Sequence, residues 1–171
     1  MTHRALSWVA RSSGRAVAVG GALALLGGCG FHLQGHTPLP DTMKAAFVQA
    51  QDSRSDFVQS LRKAMIISGA RPAERKDHST AVVNITKDEV THRVLSVSAA
   101  NRPTEYEVTY TVVFTVDAGD KELLPSQEVS ATRSYSFDER LLLAKEHEES
   151  ILREGMARDL ADIVMRRLAR L

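Results

Sequence analysis

Between Thr104 and Asp117 the chain reads as one long amphipathic strand. Tyr106, Val108, Tyr110, Val112, Phe114 and Val116 fall on one side of an extended backbone, with Glu105, Glu107, Thr109, Thr111 and Thr115 on the other. Side chains of a strand repeat every two residues, so this stretch has one face that must be covered and one that water can wet. Such a strand needs neighbours to complete a sheet and a second layer to bury its apolar face.

The neighbouring sequence supplies both. From Ser126 to Phe137 the same alternation places Val129, Ala131, Tyr135 and Phe137 opposite Glu128, Ser130, Thr132 and Ser134. Upstream, Thr80–Ser98 begins in phase with Ala81, Val83 and Ile85, loses phase around Lys87 to Val90, and resumes with Leu95 and Val97, which predicts a bulge or a break near Asp88. Asn101-Arg102-Pro103 and Asp117-Ala118-Gly119-Asp120 are turn sequences, so these strands form an antiparallel meander. Two segments have helical spacing instead. Phe57, Val58, Leu61, Ala64, Met65 and Ser68 form one stripe, with Ser53 or Ser55 as the cap, Gly69 as the stop and Pro72 beyond. From about Lys145 to the terminus, Leu152, Met156, Leu160, Ile163, Val164, Leu168 and Leu171 form a second, and Glu148, Arg153, Arg158, Asp162 and Arg166 read as its solvated face. The apolar run Met43–Ala50 predicts a short buried strand. The expected fold is α+β: a two-layer sandwich of two helices on one four-stranded, largely antiparallel sheet.

The N-terminus has a different composition. Residues 1–28 contain Arg4, Arg11 and Arg15, no acidic residue, and the one tryptophan, Trp8. Ala16 to Gly28 is a run of only Ala, Val, Leu and Gly, about 20 Å long as a helix against a hydrocarbon core of about 30 Å. It reads as a secretory leader rather than a membrane span. Leu26-Gly27-Gly28-Cys29 fits a lipobox, in which the cysteine thiol takes a diacylglyceryl group and cleavage frees its amine for an acyl chain. Two or more chains hold a protein firmly to a bilayer, where one does not. Gly30 stands where an aspartate would signal inner-membrane retention, which directs the expectation to the outer membrane. The domain plan is therefore a cleaved signal peptide at 1–28, a lipidated tether at 29–42 and a folded domain at 43–171.

Removing the leader changes the charge balance. The whole chain carries 22 basic and 21 acidic residues; without the three leader arginines, 19 basic residues face 21 acidic ones, a charge of −2. That argues against a nucleic-acid partner. A lone cysteine excludes an internal disulfide and an all-cysteine metal site. Gly-x-Ser-x-Gly, the P-loop and Gly-x-Gly-x-x-Gly are all absent from the sequence. His147 sits in Glu146-His147-Glu148-Glu149 without a second His one turn on, so no zincin helix is present; the acids read as a first helical turn complementing the dipole. His32, His36, His78 and His92 are scattered. No metal, no cofactor beyond the covalent lipid on Cys29, and no enzyme activity is expected.

Cys29-Gly30-Phe31-His32-Leu33-Gln34-Gly35, then Leu39-Pro40 and Met43-Lys44, resembles the mature start of the LptE family of lipopolysaccharide (LPS) assembly lipoproteins. Thr104-Glu105-Tyr106, Arg133-Ser134-Tyr135-Ser136-Phe137-Asp138, and Leu143-Ala144-Lys145 before a long last helix extend the likeness over residues 29–171. The resemblance implies a sandwich that plugs the LptD outer-membrane β-barrel, assists its assembly, and takes part in delivering LPS to the outer leaflet while binding LPS directly. Lipid A phosphates call for Lys or Arg at close range. Lys145, in the matching Leu-Ala-Lys stretch, is the first candidate, Arg102 the second and Arg93 the third; for each the other reading is a solvated surface cation. A lipoprotein hydrolase with a site assembled in space is the alternative function, and it requires a concave pocket holding a His with a carboxylate or Ser at about 3 Å.

Overall fold

The computed structural model describes residues 38–136 and 142–171, with the side chains of residues 142–146 outside the described set. In chain order the elements are β1 (Phe47–Gln49), α1 (Asp56–Ile67), β2 (Val82–Val97), β3 (Pro103–Ala118), β4 (Lys121–Ser136) and α2 (Leu142–Leu168), with 3-10 turns at Asp41–Met43 and Lys76–His78. The four strands form one sheet in the order β1-β2-β3-β4. β2, β3 and β4 are an antiparallel meander, while β1 pairs parallel to β2, with Phe47 opposite Val82 and Gln49 opposite Asn84. The sandwich predicted from the alternation and the two stripes is the one observed.

Local chemistry explains the elements. Ser55 caps α1, its Oγ accepting from the Val58 N–H at 3.2 Å, and α1 buries Phe57, Val58, Leu61 and Met65. Gly69, at φ +83°, takes the left-handed conformation that ends the helix. On β3 the inward set Val108, Tyr110, Val112, Phe114 and Val116 is buried throughout. α2 covers it with Met156, Ala157, Leu160, Ala161, Val164, Met165 and Leu168. Each fully buried Leu, Phe or Met contributes about 1.5–3 kcal/mol relative to exposure.

Several boundaries differ from the sequence reading. The phase loss in β2 lies between Ile85 and Lys87, just upstream of Asp88, and a second shift follows Val94. Only Phe47–Gln49 of the Met43–Ala50 run is strand, because Asp41–Met43 closes a 3-10 turn first. Leu39, in the stretch read as tether, is buried in the core, and the Thr80 hydroxyl donates to the Thr42 carbonyl at 2.6 Å. α2 begins at Leu142, so Glu148 and Glu149 lie beyond its first turn, and that turn holds no acidic residue.

Lengths set the distribution of the core. A strand of 16 residues runs about 50 Å, whereas the 12 residues of α1 span only about 18 Å and the 27 of α2 about 40 Å. Both helices therefore cover one end of the sheet, and α2 alone reaches towards the other. We call these ends proximal, where the chain enters at Leu39 and both helices finish, and distal, where the β2–β3 turn lies and α2 begins.

Candidate functional site

The described basic candidates gather at the distal end. Arg102 is exposed in the β2–β3 turn, where its backbone N–H donates to Ser98 Oγ at 3.3 Å and its carbonyl accepts from the Ser98 N–H at 2.7 Å. Arg93 stands on the sheet face that no helix covers, and its Nε and Nη2 donate to Glu107 Oε1 at 3.1 and 2.7 Å. Lys145 falls in α2 near its start, with its side chain outside the described residues. Cys29 lies outside the described residues altogether. The fold thus brings the starts of β3 and α2 to one end, with Arg93 on the opposite face of the sheet from α2.

Beneath α2 the same end holds an ordered polar cluster that sequence reasoning missed. Glu149 accepts from the Tyr135 hydroxyl at 3.1 Å through one oxygen, and its other oxygen meets His92 Nε2 at 2.9 Å. The Tyr135 ring stacks on Tyr106, centroids 5.9 Å apart. Burial, and then the hydrogen bond to Glu149, push the Tyr135 hydroxyl up to about 12. Nearer the core, Ser55 donates to Asp88 at 2.5 Å, and burial followed by Asp88 pushes Tyr110 up as well. Arg153, read as part of the solvated face of α2, instead donates to Asp56 at 2.5 Å and ties α2 to the first turn of α1. That bond also raises the guanidinium above its ordinary value. The alternation put Tyr106 and Tyr135 each on the apolar face of its strand, but nothing local announced their stack or Glu149.

A cavity of about 470 Å³ opens beside Tyr135, lined also by Glu105, Ser134, Glu148, Ile151 and Leu152. Val94, Leu95, Val97 and Ile151 are exposed at this end.

Residues 43–168 match the family described as LptE, lipopolysaccharide-assembly. The chain belongs to the LptE family. A protein of Pectobacterium atrosepticum named LPS-assembly lipoprotein LptE is 24% identical over 153 residues, covering 88% of this chain and 82% of its own. Its namesake in Photorhabdus laumondii is 26% identical over 151 residues, with the same coverage. The fold matches the solution structure of lipoprotein B from Nitrosomonas europaea at a TM-score of 0.66 and 26% identity, over 82% of this chain and 90% of that one. The crystal structure of rare lipoprotein B from Shewanella oneidensis shares the fold at a TM-score of 0.63 and 22% identity, over 74% and 94%.

Membership in the LptE family makes this a membrane-anchored lipoprotein of LPS assembly and not an enzyme, which overturns the hydrolase alternative. The one geometry that could have suggested catalysis has another role. His92 and Glu149 sit at bonding distance, but the second Glu149 oxygen is held by Tyr135, and no serine or cysteine is bonded to His92 among the described residues. The pair fastens α2 across β2 and β4.

Proposed function

We propose that the mature protein, carrying N-acyl and S-diacylglycerol lipid on Cys29 at the inner face of the outer membrane, plugs an LptD-like β-barrel. It assists assembly of that barrel and takes part in passing LPS to the outer leaflet, touching LPS itself. The observation that supports the plug is the uncovered sheet face. Opposite charges pair within it, Arg93 with Glu107 and Lys87 with Glu89 at 3.1 Å, and Thr109 and Thr132 exchange a 3.2 Å hydroxyl contact. A face of paired charges and hydroxyls suits a polar lumen wall, which offers hydrogen-bond partners that lipid cannot. The test is affinity purification of the tagged mature lipoprotein from its own membranes. A large barrel protein is expected to co-purify; recovery of the lipoprotein alone removes the reading.

For LPS contact, the candidates keep their order. Arg93, bonded to Glu107, ranks last. Lys145→Glu with Arg102→Glu is expected to weaken LPS binding roughly tenfold while the barrel complex still forms, since charge-assisted bonds to phosphate dominate such contacts. Undiminished LPS binding by the double variant removes the site assignment and leaves the plug standing.

A further inference from the structure

We infer that the last turn of α1 is a membrane-contact element, resting Ile66 and Ile67 on the phospholipid surface to which the chain is tethered. This rests on the lipid-anchoring part of the proposed function and not on the barrel. Ile66 is 61% exposed and Ile67 51%, side by side at the end of a helix whose Phe57, Val58, Leu61 and Met65 are buried. They close one end of a groove of about 1000 Å³ between α1 and α2.

Position names the occupant. The two helices run in the same direction, for Asp56 at the start of α1 bonds Arg153, and the groove passes from Asp56 and Glu154 to Ile67 and Asp162. Both helices therefore finish at the proximal end. There the entering chain is bonded directly to the segment that follows α1: Arg71 N–H to the Lys44 carbonyl at 2.7 Å and Ala73 N–H to the Ala46 carbonyl at 3.0 Å. From Cys29 the intervening residues 29–37 reach about 30 Å even when fully extended. A lipid on Cys29 would thus allow the end bearing Ile66 and Ile67, where the chain enters, no more than about 30 Å of leash from the bilayer.

Charge agrees with that occupant. Lys63 and Arg71, flanking the isoleucines, are exposed and have no acidic partner among the described residues, and Arg166 and Arg170 are exposed at the end of α2. Asp56 and Glu154, the acids farther along the groove, face Arg153 and Arg158. Asp162 is the acid left beside the isoleucines. Apolar residues flanked by cations are the composition that lies in an anionic bilayer interface. The exposed apolar residues at the distal end, Leu95 among them, lie about 50 Å along the strands from the tethered end.

With the leader removed the chain has no tryptophan, so one can be introduced as a reporter. The mature lipidated protein carrying Ile67→Trp is reconstituted in vesicles of phosphatidylethanolamine with a minority of phosphatidylglycerol, with and without brominated acyl chains. Leu95→Trp serves as the distal control. Bromine is expected to quench Ile67→Trp at least about twofold more than Leu95→Trp, and Lys63→Glu with Arg71→Glu to reduce that difference on anionic vesicles but not on phosphatidylcholine. Flotation of the same vesicles reports the anchor separately. Protein that floats with Ile67→Trp unquenched, or with both reporters quenched alike, overturns the contact and leaves anchoring intact. Protein that does not float overturns anchoring and the contact together.

Discussion

The proximal and distal halves of the sheet are built from the same three long strands, yet they are held by different forces. Proximally, Phe57, Leu61 and Met65 of α1 and Leu160, Val164 and Leu168 of α2 close over Val112, Phe114 and Val116, all nearly solvent-free. Distally, α2 lies alone over Tyr135, fastened by the Glu149 bonds to Tyr135 and His92 and by the Arg133–Asp159 ion pair at 2.8 Å. The difference follows from the short span of α1. One half is held mainly by buried volume, the other mainly by polar bonds.

The sharpest way to break that comparison is to cut volume proximally. Phe57→Ala is expected to cost about 3–5 kcal/mol in urea denaturation, because a ring in a closed core leaves a cavity. A loss below about 1 kcal/mol would mean the core is looser than described. At the junction of the halves, Arg153→Ala should cost about 2 kcal/mol, and a double-mutant cycle with Asp56→Ala should assign most of it to the pair. If the cycle shows no coupling, packing and not the ion pair joins the helices.

Tyr135→Phe tests the distal fastening and should cost about 1 kcal/mol, with amide exchange accelerating around Glu149 and not around Leu160. The same residue gives a pH signature. Its folded pKa, about 12, lies above the ordinary tyrosine value, so its contribution is complete below about pH 10 and is lost as pH rises towards 12. Urea midpoints should therefore fall over that window less steeply in Tyr135→Phe than in the parent; identical slopes would remove the assignment. The smallest effect has the opposite sign. A Cβ at Gly155 would meet only Arg158 Nη2, at 3.8 Å, so Gly155→Ala should stabilise by about 0.5–1 kcal/mol, raising the urea midpoint.

Sequence patterning reached the proximal half more fully than the distal. The β3 alternation and the α1 stripe are set by residues a few positions apart, and both emerged as read. Three consequences of long-range pairing did not. The parallel docking of β1 rests on three residues in an apolar run without a period. Arg153 looked like surface because its partner, Asp56, belongs to the other helix. Glu149 joins His92 of β2 to Tyr135 of β4, and only the folded chain brings those residues together. Among the candidate site residues, Arg102 and Arg93 can be placed in full, because the turn and the alternation that fix them are local. Why the wet face is rich in threonine is not decided by its pattern, since strand propensity and a lumen-facing role ask for the same residues.

The parallel sense of β1 has a mechanical consequence. β2 runs from the proximal end to the distal one, and β1, alongside it, points the same way, so its first residue lies on the side where the described chain enters. A pull on the entering chain along the strand axis would load the β1–β2 bonds together, in shear, instead of opening them one at a time. Leu39 and the Thr42–Thr80 bond lie ahead of the strand and take the strain first. The short edge strand that looks like the weakest part of the sheet is thus oriented to resist a pull from the N-terminal side of the chain.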